Sequence, residues 1–151
     1  MNQKSFEKKK NAVAFLEMPS RGTEMFGMQL SRYIDGNVKI RTYAPARHNP
    51  NFRKYGMYAV WDRETQLKII TFLQRHLNPD PNYLPVMGID IQTEVGSMYG
   101  FRFRATDYGV KIQTFAPDWE NPDRRHYGFY ATYPMEYVRS LLEFLETIPS
   151  V

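Results

Sequence analysis

Cations and rings alternate with aliphatic side chains in several short stretches of this chain. In residues 38–45, VKIRTYAP, one parity holds Val38, Ile40 and Thr42 and the other Lys39, Arg41 and Tyr43. In residues 110–117, VKIQTFAP, Val110, Ile112 and Thr114 alternate with Lys111, Gln113 and Phe115. Phe101, Phe103 and Ala105 alternate with Arg102 and Arg104. Tyr58 and Tyr130 occupy the same place in two Gly-x-Tyr-Ala runs, and Arg53, Lys54 and Arg125 lie just before them. An extended chain sends successive side chains to opposite faces, so one face here is apolar and the other mixes positive charge with aromatic surface. Such a face suits an unpaired polynucleotide: cations track its phosphates, and each base stacked on a ring contributes about 1–3 kcal/mol. The candidate binding residues are therefore Lys39, Arg41, Tyr43, Arg53, Lys54, Tyr58, Arg102, Arg104, Lys111, Phe115, Arg125 and Tyr130. The mixture has a plainer origin too, because aromatic and β-branched residues favour strands and Lys and Arg solvate an open face.

Other chemistries find little support. The chain has no Cys, which removes disulfides, thiolate metal sites and thiol nucleophiles. Its three His fall in no metal or triad spacing, and no Gly-rich phosphate loop is present. His126 lies near Asp118, Glu120 and Asp123, which reads as a solvated acidic loop before it reads as a cation site. No enzyme, cofactor or metal is expected. Apolar runs are as short as Ile69–Ile70 and Leu141–Leu142, and the basic start MNQKSFEKKKN is followed by no signal-like apolar stretch, so the expectation is an intracellular protein away from membranes. The net charge of +4 hides a division. Residues 1–78 carry 14 Lys+Arg and 6 Asp+Glu, whereas 79–151 carry 6 and 10, so a polyanion would meet mainly the first half.

The elements that position these residues come as a pair. From 38 to 73, 16 of 36 positions equal those 72 further on, without a gap. Asn49–Pro50 matches Asn121–Pro122, Arg53 to Ala59 matches Arg125 to Ala131, Glu64 matches Glu136, and Phe72-Leu73 matches Phe144-Leu145. Each copy reads as four strands and a helix. In the first, strands over 12–18, 25–34, 38–44 and 55–60 lead to a helix capped by Asp62 and ended by Asn78-Pro79, with a turn at Asp35-Gly36-Asn37 and a long loop over 45–54. In the second, strands over 86–95, 99–106, 110–116 and 126–132 precede a helix from Pro134, with a turn at Asp107-Tyr108-Gly109. Leu67, Ile70, Leu73 and Leu77 form one helical stripe, widened by Ile69 and Phe72; Val138, Leu141, Leu142, Leu145 and Ile148 form the other. Neither helix has a basic outer face, so duplex DNA, which admits a helix to its major groove, is not the expected ligand. The fold class is α+β: repeat one 12–78, linker 79–85 and repeat two 86–149 in a single domain. Two antiparallel four-stranded sheets pack with their helices inside, about a pseudo-two-fold, because one such unit is too small to fold alone.

With the hairpin 28–44, the long loop, the Gly56-Met-Tyr-Ala strand and the Glu64-led helix, and their recurrence at 100–117, 128–131 and Glu136, the chain resembles a superfamily of single-stranded-DNA-binding regulators. It includes the positive-cofactor-four coactivator, the plant Whirly proteins and PUR-repeat proteins, in which a ββββα unit is used twice. The resemblance covers roughly 12–148 and has no counterpart of the Lys-Gly-Lys-Ala-rich element of Whirly proteins. It implies binding of single-stranded DNA, ahead of RNA, along sheet faces and hairpin edges, assembly into homo-oligomers, and service in replication, recombination or transcription. Asp118, Glu120 and Asp123 repel phosphate, which makes the first copy the stronger binder. The alternative is a protein–protein interaction or assembly module with no nucleic-acid role.

Overall fold

A computed structural model describes residues 12–93 and 98–147. The first unit holds β1 (Ala12–Ser20), β2 (Thr23–Tyr33), β3 (Val38–Pro45), β4 (Arg53–Trp61) and α1 (Arg63–Leu77). The second holds β5 (Gly88–Gln92), β6 (Gly100–Ala105), β7 (Gly109–Pro117), β8 (Arg125–Pro134) and α2 (Met135–Glu146). Each unit forms a four-stranded antiparallel sheet in chain order, β1-β2-β3-β4 and β5-β6-β7-β8. The architecture is thus α+β, with ββββα written twice.

Local chemistry accounts for the boundaries. Asp62 accepts a hydrogen bond from the Thr65 amide at 2.8 Å and caps α1. Gly36, at φ 91°, supplies the left-handed residue that the β2–β3 turn requires. Strands β4 and β8 begin two and one residues earlier than alternation suggests, so Arg53, Lys54 and Arg125 are strand residues and not loop residues. Pro134 is the residue before α2 and the last of β8. The expected strand over 86–95 is only Gly88–Gln92 long, and residues 94 and 95, like Ile148 and the basic residues 1–11, lie outside the described residues.

The inner faces and helix stripes meet in one hydrophobic cluster drawn from both units. Trp61 sets its ring 5.6 Å from Phe101 and 6.0 Å from Phe103 across the units, Phe26 stacks on Phe129 at 5.0 Å, and Tyr133 donates its hydroxyl to the Met18 carbonyl at 2.7 Å. One stripe residue departs from expectation. Leu67 is exposed, and the buried place on that turn belongs to Gln66, whose amide donates to the carbonyls of Gly36 at 2.8 Å and Trp61 at 2.9 Å. A polar side chain is accepted there because both of its donors are used.

The two units also differ in frame. Glu17 pairs with Gln29 and Asp90 with Arg102, so the first hairpins correspond at an offset of 73, against 72 from β3 onward. The turn after β6 is one residue shorter than the turn after β2. The longer turn offers the Gly36 carbonyl to Arg32, at 3.1 Å, and to Gln66. Arg32 is buried and also donates to the Phe144 and Leu145 carbonyls at the end of α2, both at 3.0 Å, while Arg63 donates to Leu145 at 2.9 Å. Burial, and then the Arg63 charge, lower the Arg32 pKa. At the corresponding places the second unit has Ala105, Val138 and Met135 in place of Arg32, Gln66 and Arg63.

Candidate functional site

One row of side chains crosses the outer face of each sheet. In sheet one, cross-strand pairing aligns Glu17, Gln29, Arg41 and Tyr58 from β1 to β4. In sheet two it aligns Asp90, Arg102, Gln113 and Tyr130 from β5 to β8. Ends of equal character enclose a glutamine and an arginine in opposite order.

In sheet one the row is wired from its acidic end. Gln29 donates its amide to Glu17, and Arg41 donates its Nε to the Gln29 carbonyl oxygen at 2.9 Å. The Arg41 guanidinium lies 3.9 Å from the centre of the Tyr55 ring, a cation–π arrangement. Glu17 is occupied by Arg53, which grips both carboxylate oxygens at 3.0 Å and donates to the Glu24 carbonyl at 2.8 Å. The hydrogen bond from Arg53, with help from Gln29 and against partial burial, holds the Glu17 carboxyl below the usual carboxylate range. Lys39 stands 4.5 Å from the Tyr33 ring centre on the neighbouring strand. Tyr58 is open to solvent, as is Phe15 on β1. Phe15, Gln29, Tyr33, Lys39, Arg41 and Tyr58 are among the residues that line a concavity of about 560 Å³ over the face.

Sheet two carries the same parts, paired differently. Asp90 takes Arg102 Nε at 2.9 Å, Arg102 Nη2 at 3.3 Å and Arg125 Nη1 at 2.8 Å. The hydrogen bond from Arg102, then that from Arg125, lowers the Asp90 pKa. Lys111 lies 4.5 Å from the centre of the Tyr130 ring and directly opposite Arg104, which is exposed. Lys54 and Tyr130 are exposed as well.

Two candidates are not available for stacking. Tyr43 is 1% exposed and Phe115 is 0% exposed, although alternation sends both to the open face. Each ring lies beside a glycine of the adjacent strand: a Cβ on Gly27 would come within 2.9 Å of the Tyr43 hydroxyl, and one on Gly100 within 2.7 Å of Phe115 Cζ. Each is then covered by an arginine, Arg53 over Tyr43 and Arg125 over Phe115, both at 3.9 Å. Enclosure pushes the Tyr43 hydroxyl up to about 12. Alternation fixes the direction of a side chain and leaves open whether a neighbour lies on top of it. The rings beside them, Tyr55 and Tyr127, are accessible and lie edge-on to Tyr43 and Phe115 at 6.2 and 6.4 Å. Sequence reasoning missed Glu17, Gln29, Tyr33, Tyr55, Asp90 and Tyr127. The retention of Tyr55 as Tyr127 in the duplicate was the one signal that could have raised that pair.

Among the described residues, no group of three His, Asp or Glu side chains could hold a metal ion, and no helix is long and apolar enough to cross a membrane. No family model, curated protein or solved structure matches the chain.

Proposed function

We propose that the chain binds single-stranded nucleic acid along the outer faces of its sheets, with sheet one as the principal platform. The observation that carries the reading is the concavity of sheet one, where Lys39 and Arg41 share an open surface with Phe15 and Tyr58. Charge for phosphate and rings for bases are thereby within one strand's reach. The platform needs a rigid base. We read the two units as related by a pseudo-two-fold with the helices between the sheets, in the manner of the single-stranded-DNA-binding regulators that the sequence resembles. Supporting this are the equivalent burial of Val38, Ile40 and Trp61 with Val110, Ile112 and Tyr133, and the contact between α1 and α2.

Fluorescence anisotropy with labelled dT and rU oligomers tests the reading. Binding that weakens steeply with added salt is expected, because displaced counterions drive association with a polyanion. Absence of binding at micromolar protein in low salt rejects it.

A second reading, a protein-interaction module, draws on a different surface. The linker residues Tyr83 and Leu84, with Met87 just after them, are exposed and line a groove of about 920 Å³. A partner captured there survives nuclease treatment in a pull-down, whereas one bridged by nucleic acid is lost.

A further inference from the structure

The exchange of glutamine and arginine between the two rows has a chemical consequence that charge alone does not reveal. In sheet two the arginine stands on β6, next to the carboxylate strand, and Asp90 consumes its Nε and Nη2 together. In sheet one the arginine stands a strand further away, on β3, with Gln29 between it and Glu17. Among the described residues, Arg41 therefore spends only its Nε, on a neutral amide oxygen, and no carboxylate pairs with it. The cation–π contact with Tyr55 adds a second restraint to the guanidinium. A guanidinium held at Nε and by a ring at its carbon keeps Nη1 and Nη2 as a planar two-pronged donor, which matches paired oxyanion acceptors.

Resting on the strand-binding reading above, we propose that Arg41 is an open fork for a phosphate of the bound strand, and that Asp90 closes the corresponding fork in sheet two. One strand is then taken per chain, on sheet one. The guanidinium rather than the total charge decides this, since both rows hold one carboxylate, one glutamine and one arginine.

Two row exchanges in the full chain test the assignment, because neither alters net charge or composition. Gln29→Arg with Arg41→Gln gives sheet one the closed order, and Arg102→Gln with Gln113→Arg gives sheet two the open order. Binding of a labelled dT oligomer is read by anisotropy, and stoichiometry by titration at saturating protein. The first exchange is expected to weaken binding about tenfold, the loss of one charged hydrogen-bonding contact, and the second to raise the stoichiometry from one strand to two. Arg41→Lys, which keeps the charge and loses the fork, should weaken binding like the first exchange. Circular dichroism confirms that each variant is folded, and a misfolded exchange leaves Arg41→Lys to decide. Native binding that none of these variants changes overturns the fork and leaves the strand-binding reading standing. Loss confined to a dG-containing oligomer also overturns it, by assigning Arg41 to the paired acceptors of a guanine edge. A native chain that binds no oligomer removes both.

Discussion

Glu17 and Asp90 each hold the acidic end of a row, and both are kept ionised by arginine. Their folded-state pKa values lie below the ordinary carboxylate range, chiefly through the hydrogen bonds from Arg53 to Glu17 and from Arg102 to Asp90. A lowered folded pKa means that the unfolded chain takes up protons first as pH falls. The stabilisation is complete above the unfolded value of about 4 and disappears as pH drops through the folded value. Thermal melts between about pH 6 and pH 2 should therefore fall less steeply for the Glu17→Gln, Asp90→Asn double variant than for the native chain. Parallel curves for the two proteins would show that the carboxylates contribute nothing through their protonation. The same residues explain why Tyr43 and Phe115 are enclosed. An arginine tethered by its carboxylate lies over each ring, and the glycine alongside carries no Cβ that would collide with it.

At the scale of elements, the end of α2 depends on a residue from β2. Its last carbonyls have no partner within the helix, and Arg32 and Arg63 supply donors and positive charge where the helix dipole favours them. Arg32→Met keeps much of the volume and removes those donors from the Phe144, Leu145 and Gly36 carbonyls. It should cost about 1–3 kcal/mol of stability, the range for leaving buried groups unsatisfied. Urea unfolding measures this, and hydrogen exchange should show the loss concentrated at the end of α2; an unchanged midpoint would mean that Arg63 and water suffice. The strands and helices were legible in the sequence because their periodicities are clean and the duplicate repeats them. Asp62 and the Asp-Gly-Asn turn carried their own local chemistry. Less of the site was legible. Lys39, Arg41 and Tyr58 followed from alternation, but Glu17, Gln29 and Asp90 enter only through cross-strand register, which no single segment encodes. The equivalence of the first hairpins was hidden by the one-residue difference between the turns, which moves them out of the frame in which the later strands align.

The two units share one hydrophobic cluster. Trp61 of the first unit packs on Phe101 and Phe103 of the second, and Tyr133 of the second donates to Met18 of the first. Neither sheet keeps its inner face covered without the other. Trp119 is 88% exposed and Trp61 is 1% exposed, so Trp119→Phe leaves a single tryptophan, the selectively excited fluorophore, at the junction of the units. Denaturant transitions followed by that fluorophore and by far-ultraviolet circular dichroism should coincide. Two separated transitions would reveal units that unfold independently. Arg32, Gln66 and Arg63 join the longer turn to the ends of both helices through their side chains, whereas the shorter turn meets α2 through the Met135 amide on the Tyr108 carbonyl, at 3.0 Å, and α1 through His76 at the Gly109 carbonyl, at 2.7 Å. A chain of two identical halves would build both tethers from the same residues. The present chain builds them from different groups, so since the copying event the interior wiring of the halves has diverged along with the surface.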